Sequence, residues 1–467
     1  MKSQLTKIGK PVLSKVSRLA AWLIVFWSFS ACEEFVKVDP PTTQIIGSVV
    51  FESDDAATSA VTGIYSKMMD AASGSFVNYR ITAYAGLSAD EFKDYSNSIT
   101  QGPFYSNSLL ATNANVSSLW SNAFQLIYMA NVAIENLAQS KGVTAATRQQ
   151  LTGEAKFIRA FCHFYLTNLF GDVPYIKTTD YNANTSVGRA AQATVYQEII
   201  ADLTDAQTLL SDTYVTTEKV RPNKATATAL LARAYLYSQD WTNASAQASA
   251  IINSGTYSLA GSLGSVFLKN SSEAIWQLMP VLPGYNTLEG NTFILIAASK
   301  NVAVTDSLLN AFEAGDGRKT TWINSITVSG ITYYFPYKYK VKSGATLTEY
   351  YMMLRLAEQY LIRAEAATHL NDIDQAVNDI NVIRARAGLT GLPNTLTQAE
   401  CLTAIEKERR IEFLCEWGHR WFDLKRTGRA DAVLGPMKST WQSTSVLYPI
   451  PQAQLLNDQN MVQNPGY

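Results

Sequence analysis

Glu408 and Glu412 stand four residues apart, so a helix would place both carboxylates on one face. Two carboxylates across a shared cleft are what glycoside hydrolysis requires. Here Arg409 and Arg410 stand between them, so ERRIEF (408–413) reads as a set of paired structural carboxylates instead. GHRWFDLKR (418–426) alternates acids and bases beside Trp417, Trp421 and Phe422, which predicts an ion-paired helix end packed on aromatic rings. Within it, His419 reads as hydrogen-bonded structure rather than a general base. The chain has three His (His163, His369, His419) and no CxxC spacing, which is poor material for a metal site. It also lacks GxSxG, HExxH, phosphate-loop and dinucleotide patterns. No catalytic residue, cofactor or metal is therefore expected, although an enzyme built on paired carboxylates leaves no sequence signature.

Non-covalent capture needs different residues. A sugar presents hydroxyls around its edge and a face of C–H bonds. Tyr and Trp can cover that face at low entropic cost, and amides or carboxylates then fix orientation. The segment 90–105, DEFKDYSNSITQGPFY, mixes rings and amides in this way. The window 76–105 holds seven aromatics in 30 residues, about twice the 11% average of the chain. A second aromatic stretch runs over 276–341. Tyr79, Tyr95, Asn97, Tyr105, Trp322 and Tyr334 are the candidate ligand contacts, with at least two of the five rings expected to touch ligand. Trp276 and Phe293 sit in apolar strings and are expected in the core.

Helices must carry these segments. Apolar stripes at i, i+3, i+4, i+7 spacing run through Leu151–Leu169, Tyr196–Leu210, Tyr350–Ala364 and Ile373–Ala387. Gly388 can end the last as a C-cap, and Thr397 with Glu400 has capping-box spacing for the next helix. Two segments look like copies of one unit. LARAYLYSQDWTNASAQA (231–248) and LIRAEAATHLNDIDQAVNDI (361–380) both place alanines twelve apart, Ala232 with Ala244 and Ala364 with Ala376. Small residues there let antiparallel helices approach closely, as in tetratricopeptide repeats. Such units stack, because none buries its faces alone. The expected fold is mainly α: tetratricopeptide-like helix pairs in a superhelix supporting a loop-rich, irregular face with a few short strands. The loop-rich face comes mainly from 74–118 and 255–348, where SEAIWQLM and ITYYFPYKYKV are strand candidates.

The start of the chain predicts its compartment. Lys2, Lys7, Lys10, Lys15 and Arg18 precede an apolar stretch, LAAWLIVFWSF (19–29), followed by Ser30, Ala31 and Cys32. This is an export-leader pattern, and the stretch is too short to span a bilayer. Ser-Ala-Cys resembles a bacterial lipobox, with Cys32 lipidated after residues 1–31 are removed and 32–467 left as the mature domain. The acidic pair Glu33 and Glu34 resembles a surface-export mark. Losing the five leader cations leaves 33 basic against 39 acidic residues, net −6, which disfavours nucleic acid as a partner. At 47% hydrophobic and 16% charged, the chain has ample material for a large core.

Further motifs add a resemblance. FGDVPY (170–175), RPNKATATALLARAYLY (221–237), Asp316 with Arg318, RLAEQYLIRAEA (355–366), ERRIEF, GHRWFDLKR, YPIPQ (448–452) and the terminal QNPGY (463–467) follow one another in order. Together they resemble the SusD/RagB family of nutrient-binding outer-membrane lipoproteins of Bacteroidetes. The resemblance implies four tetratricopeptide-like units and a loop-rich ligand face. It also implies a partner, a SusC-like TonB-dependent outer-membrane transporter over which the protein sits as a lid. The function expected is capture of an oligosaccharide at the cell surface and its delivery to that transporter, without bond chemistry. The RagB branch leaves a peptide ligand open, and a repeat scaffold binding only proteins would leave the aromatic loops unexplained.

Overall fold

The computed structural model describes residues 50–70 and 76–467. The export leader and Cys32 lie outside them. Among the described residues no helix is long and apolar enough to cross a membrane.

Eight helices form a continuous array in which each packs on the next: α3 (Ala114–Gln139), α4 (Ala145–Phe170), α5 (Gln192–Leu209), α6 (Lys224–Tyr237), α7 (Trp241–Asn253), α8 (Leu356–His369), α9 (Ile373–Arg386) and α10 (Gln398–Glu412). Two further helices, α1 (Asp54–Met68) and α2 (Arg80–Ser88), precede the array, with α1 lying against α3 and α4. The twelve-residue alanine spacing does what the sequence predicts. Ala232, Ala244, Ala364 and Ala376 are all fully buried, at the α6–α7 and α8–α9 hairpins. The copies match through their turns as well. Gln239 and Asn371 both turn the chain in the left-handed region, at φ 62° and 64°. Asp240 and Asp372 follow, and each caps the next helix by accepting from a backbone N–H at 3.1 Å, that of Asn243 and of Gln375. Asn223 and Thr226 form a capping box at α6, and Thr397 and Glu400 form the expected one at α10. Gly388 sits at φ 78° just past α9.

One stripe is divided differently from its reading. Tyr350, Met353 and Leu354 were expected on the helix of Ala357 and Leu361. Instead Tyr351–Arg355 is a strand, β6, buried along its whole length and paired antiparallel to β2 (Ala274–Leu278), which is buried likewise. A short all-apolar run carries no period, so a strand covered on both faces looks like a helix segment. The helix begins only at Leu356.

The core is aromatic where the sheet meets the array. Trp276, fully buried on β2, has its ring within 4.9 to 6.3 Å of Phe157, Phe161 and Tyr65. Each such pair adds about 0.5–1.5 kcal/mol beyond area burial. Phe293 is buried too, as its apolar surroundings predict.

The two long stretches contain short elements of their own. β1 (Phe92–Asp94) pairs antiparallel with β3 (Val302–Val304), matching Phe92 to Val304 and Asp94 to Val302. β4 (Ile323–Val328) and β5 (Ile331–Pro336) form a hairpin, with β3 packed beside β5. The β1–β3 pairing joins segments some two hundred residues apart, and with the hairpin it builds the surface considered next.

Candidate functional site: an aromatic and amide patch held by an ion-paired clamp

Asp90, just before β1, is almost wholly buried, yet it carries a charge because two arginines reach it. Arg420 Nε donates to Oδ1 at 2.9 Å and Arg410 Nη2 to Oδ2 at 2.6 Å. Burial pushes this carboxyl up, but Arg420 and Arg410 outweigh burial and hold it below the usual carboxylate range. The next residue, Glu91, accepts from the Cys415 backbone N–H at 2.8 Å. From the other side, Thr305 Oγ1 donates to the Asp90 carbonyl at 2.5 Å. Arg410 belongs to ERRIEF and Arg420 to GHRWFDLKR, so these charged motifs fix where β1 begins.

The same clamp extends to the other end of the loop. Lys438 Nζ donates to the carbonyls of Leu87 and Ser88, both at 2.7 Å, and to Asn107 Oδ1 at 2.8 Å. A single ammonium thus ties both ends of segment 89–106.

Between these anchors the chain presents rings and amides. Tyr95 meets Tyr333 of β5 edge to face, with 5.4 Å between centroids and 70° between planes. The Tyr95 backbone N–H donates to the Asn301 carbonyl at 2.7 Å. Gln101 Nε2 bridges Asp94 Oδ1 at 2.9 Å and Asn301 Oδ1 at 2.8 Å. Asp94 also accepts from the backbone N–H and hydroxyl of Ser96, which holds the loop in a tight turn. Asn97 is exposed at φ 52°, and the neighbouring Ile99 is 90% exposed. The Lys93 ammonium lies 5.2 Å from the Tyr95 ring centre. The result is a rigid, half-exposed pair of rings rimmed by amides and hydroxyls. Such a surface can cover an apolar face and hydrogen-bond the edge of the same molecule.

The predicted residues distribute unevenly over this surface. Tyr95 and Asn97 lie in it. Tyr334 is on β5 and 38% exposed, but successive strand residues point to opposite faces. The ring beside Tyr95 is therefore its neighbour Tyr333. Tyr105 is partly exposed on the short helix Gly102–Tyr105, with the Lys438 ammonium 5.5 Å from its ring centre. Tyr79 is half-buried against the core at φ 54°, just before α2. Among the described residues neither Tyr79 nor Tyr105 makes a ring contact with Tyr95 or Tyr333. Trp322 is a correction. It is fully buried, its indole N–H donates to the Leu263 carbonyl at 2.9 Å, and the Lys338 ammonium sits 4.6 Å from its ring centre. It is a core residue with no surface for a ligand. Tyr333, Gln101 and Asn301 were not singled out. Strand alternation in ITYYFPYKYKV could have separated Tyr333 from Tyr334, whereas the partnership with Asn301 is non-local.

The remaining motifs also act as ties. Glu408 and Glu412 do not face a cleft. Glu412 accepts from Arg318, Arg355 and Arg386, and Glu408 from Arg318 and Arg384. Asp316 grips Arg318 through Nε and Nη2 at 2.9 and 2.8 Å. His419 is buried against Phe413, 4.6 Å between ring centres, and its Nδ1 has no hydrogen-bond partner among the described residues. It is thus packed rather than hydrogen-bonded through that atom. At the C-terminus, Asn464 of QNPGY donates to the carbonyls of Phe170 at 2.8 Å and Tyr448 at 2.7 Å. That one amide joins the FGDVPY, YPIPQ and QNPGY segments.

Comparison with known proteins agrees with this architecture. A family model described as starch-binding, associating with the outer membrane, matches residues 47–236. A SusD-like protein of Formosa agariphila is 24% identical over 487 aligned positions, covering 89% of this chain and 90% of its own. A SusD superfamily protein of Bacteroides vulgatus superposes with a TM-score of 0.79 at 21% identity, over 89% of this chain and all of that one. A laminarin-binding SusD-like protein superposes with a TM-score of 0.74 at 25% identity, again over 89% of this chain and the whole of the other. The model of the SusD family itself matches residues 177–446, which hold the last repeat units and the charged motifs that clamp β1, and the chain therefore belongs to the SusD family.

Proposed function

We propose that this protein is a cell-surface glycan-binding lipoprotein that captures oligosaccharide and delivers it to a SusC-like TonB-dependent transporter. Cys32 carries the lipid anchor, and capture involves no bond chemistry. The observation that carries the reading is the Tyr95–Tyr333 ring pair with Asn97, Gln101 and Asn301 around it. Rings supply the C–H contact that a sugar face needs, and the amides supply hydrogen bonds to its hydroxyls. The similarity to a laminarin-binding protein supports a glycan as the ligand class.

Calorimetry of the mature chain against laminarin and starch oligosaccharides, with oligopeptides as competitors, tests this. Replacing Tyr95 or Tyr333 by Ala is expected to weaken glycan binding about tenfold or more, roughly 1.4 kcal/mol or above, with an unchanged Tm. Unchanged affinity in the Tyr79, Tyr95, Tyr105, Tyr333 and Tyr334 alanine variants would remove the site. Binding of oligopeptides in place of glycans would remove the ligand assignment.

A further inference from the structure

Glu91 stands at the root of β1, four residues before Tyr95, and is 1% exposed. Its Oε1 accepts the Cys415 backbone N–H at 2.8 Å, but among the described residues Oε2, also buried, has no hydrogen-bond partner. That oxygen lies against carbon. A Cβ added to Gly86 would stand 3.4 Å from Oε2 and 2.6 Å from the Phe92 ring. The backbone of Glu91 joins two elements. Its N–H donates to the Gly86 carbonyl of α2 at 3.3 Å, and its carbonyl accepts from the Thr305 N–H, just past β3, at 3.0 Å. Oε2 therefore gains a donor or water only if the start of β1 lifts away from α2 or from Cys415.

The charged groups around it do not supply the missing donor. Asp90 is ionised beside it and opposes a second negative charge. Arg410 and Arg420 donate to Asp90, and Lys338 donates to Glu416, so each of these cations is committed to another acid. The Cys415 thiol is buried at the same place. Burial pushes the Glu91 carboxyl up to about 7, against the Cys415 N–H bond that pulls it down. A carboxyl raised in the closed fold supports that fold fully below its ordinary value of about 4.3. The support fades as pH climbs through about 7.

We propose that Glu91 makes ligand capture pH-dependent. Protonated, it holds the start of β1 closed and Tyr95 in place; ionised, its unmatched oxygen draws the strand toward solvent and loosens the patch. The inference rests on the Tyr95–Tyr333 patch being the glycan site.

The test is calorimetry of the mature chain with laminarin oligosaccharides from pH 5 to pH 8, since this ligand carries no ionisable group. Affinity is expected to fall about fivefold or more across that range, whereas Glu91→Gln should bind equally well throughout. Glu289 titrates in the same range but is held by Thr82 and Tyr351, away from β1, so Glu289→Gln should keep the fall. Amide hydrogen exchange reads the opening without ligand. Protection of the Tyr95 N–H relative to α3 should drop about tenfold or more from pH 5 to pH 8 in the wild type and stay constant in Glu91→Gln. Laminarin bound with unchanged affinity, unchanged protection at Tyr95, or a fall that persists in Glu91→Gln would each overturn the inference. Absence of binding at every pH would count against the glycan reading instead, and hydrogen exchange would then decide whether Glu91 governs the strand.

Discussion

Replacing Glu412 by Gln tests whether charge pairing holds the loop-rich face onto the helical array. Arg318 comes from the segment before β4, Arg355 from the end of β6 and Arg386 from the end of α9, and all three converge on the Glu412 carboxylate. Glu412 is fully buried and the three arginines are between 1 and 7% exposed, so solvent screens these contacts little. The surrounding network is balanced. Arg318, Lys338, Arg355, Arg384, Arg386 and Lys407 face Glu273, Glu313, Asp316, Glu408, Glu412 and Glu416. Gln keeps the shape but removes one charge and leaves a buried guanidinium uncompensated. Breaking a buried pair from one side costs about 3–5 kcal/mol. Burial pushes the Glu412 carboxyl up, but Arg386, Arg355 and Arg318 outweigh it and hold the group well below its ordinary value. A carboxyl depressed in the fold stabilises it fully above the unfolded value of about 4.3, and that contribution fades as pH falls toward the folded value. Urea unfolding at pH 7 is therefore expected to show the variant about 3–5 kcal/mol less stable, with the gap narrowing as pH drops below about 4.3. Adding Arg386→Met should recover part of the loss, as a double-mutant cycle would register. A loss under about 1 kcal/mol at pH 7, or a gap that widens on acidification, would refute the account.

Two more predictions rest on other features. Burial pushes the Glu289 carboxyl up to about 8, against hydrogen bonds from Thr82 and Tyr351 that pull it down. A raised carboxyl supports the fold fully below about pH 4.3 and progressively less as pH climbs through the folded value, so stability should decline across that window. Glu289→Gln should flatten the decline by a few kcal/mol between pH 5 and pH 9, measured by urea midpoints; parallel curves for variant and wild type would count against it. Gln239 is exposed and sits at φ 62° in the turn between α6 and α7. Gln239→Gly should raise stability by up to about 1 kcal/mol, and a lower Tm would contradict the strain argument.

What the sequence disclosed depends on the range over which each feature acts. The repeat units were legible because Ala232 with Ala244 and Ala364 with Ala376 express one local requirement, two helices meeting closely around a three-residue turn. That the ERRIEF carboxylates are paired rather than catalytic was legible from the arginines beside them, although Arg409 and Arg410 pair with Asp423 and Asp90 and not with Glu408 and Glu412. The partners of those charges were not legible. Nothing near Arg410 and Arg420 in sequence points to Asp90, more than three hundred residues earlier, nor does anything near Asn301 point to Gln101. Local period also failed at Tyr350–Leu354, where an apolar run covered on both faces has no face to mark, and membership of an aromatic stretch did not separate Trp322, a fully buried ring with the Lys338 ammonium beside it, from the exposed rings. The motifs that identify the family and the residues that form the aromatic patch are therefore separate sets joined by force. Arg410 and Arg420 touch no candidate ligand contact, yet they fix the start of the strand that presents Tyr95. A change at either arginine should disturb binding only by moving the loop, and for that reason a sequence search centred on the motifs finds the scaffold before it finds the site.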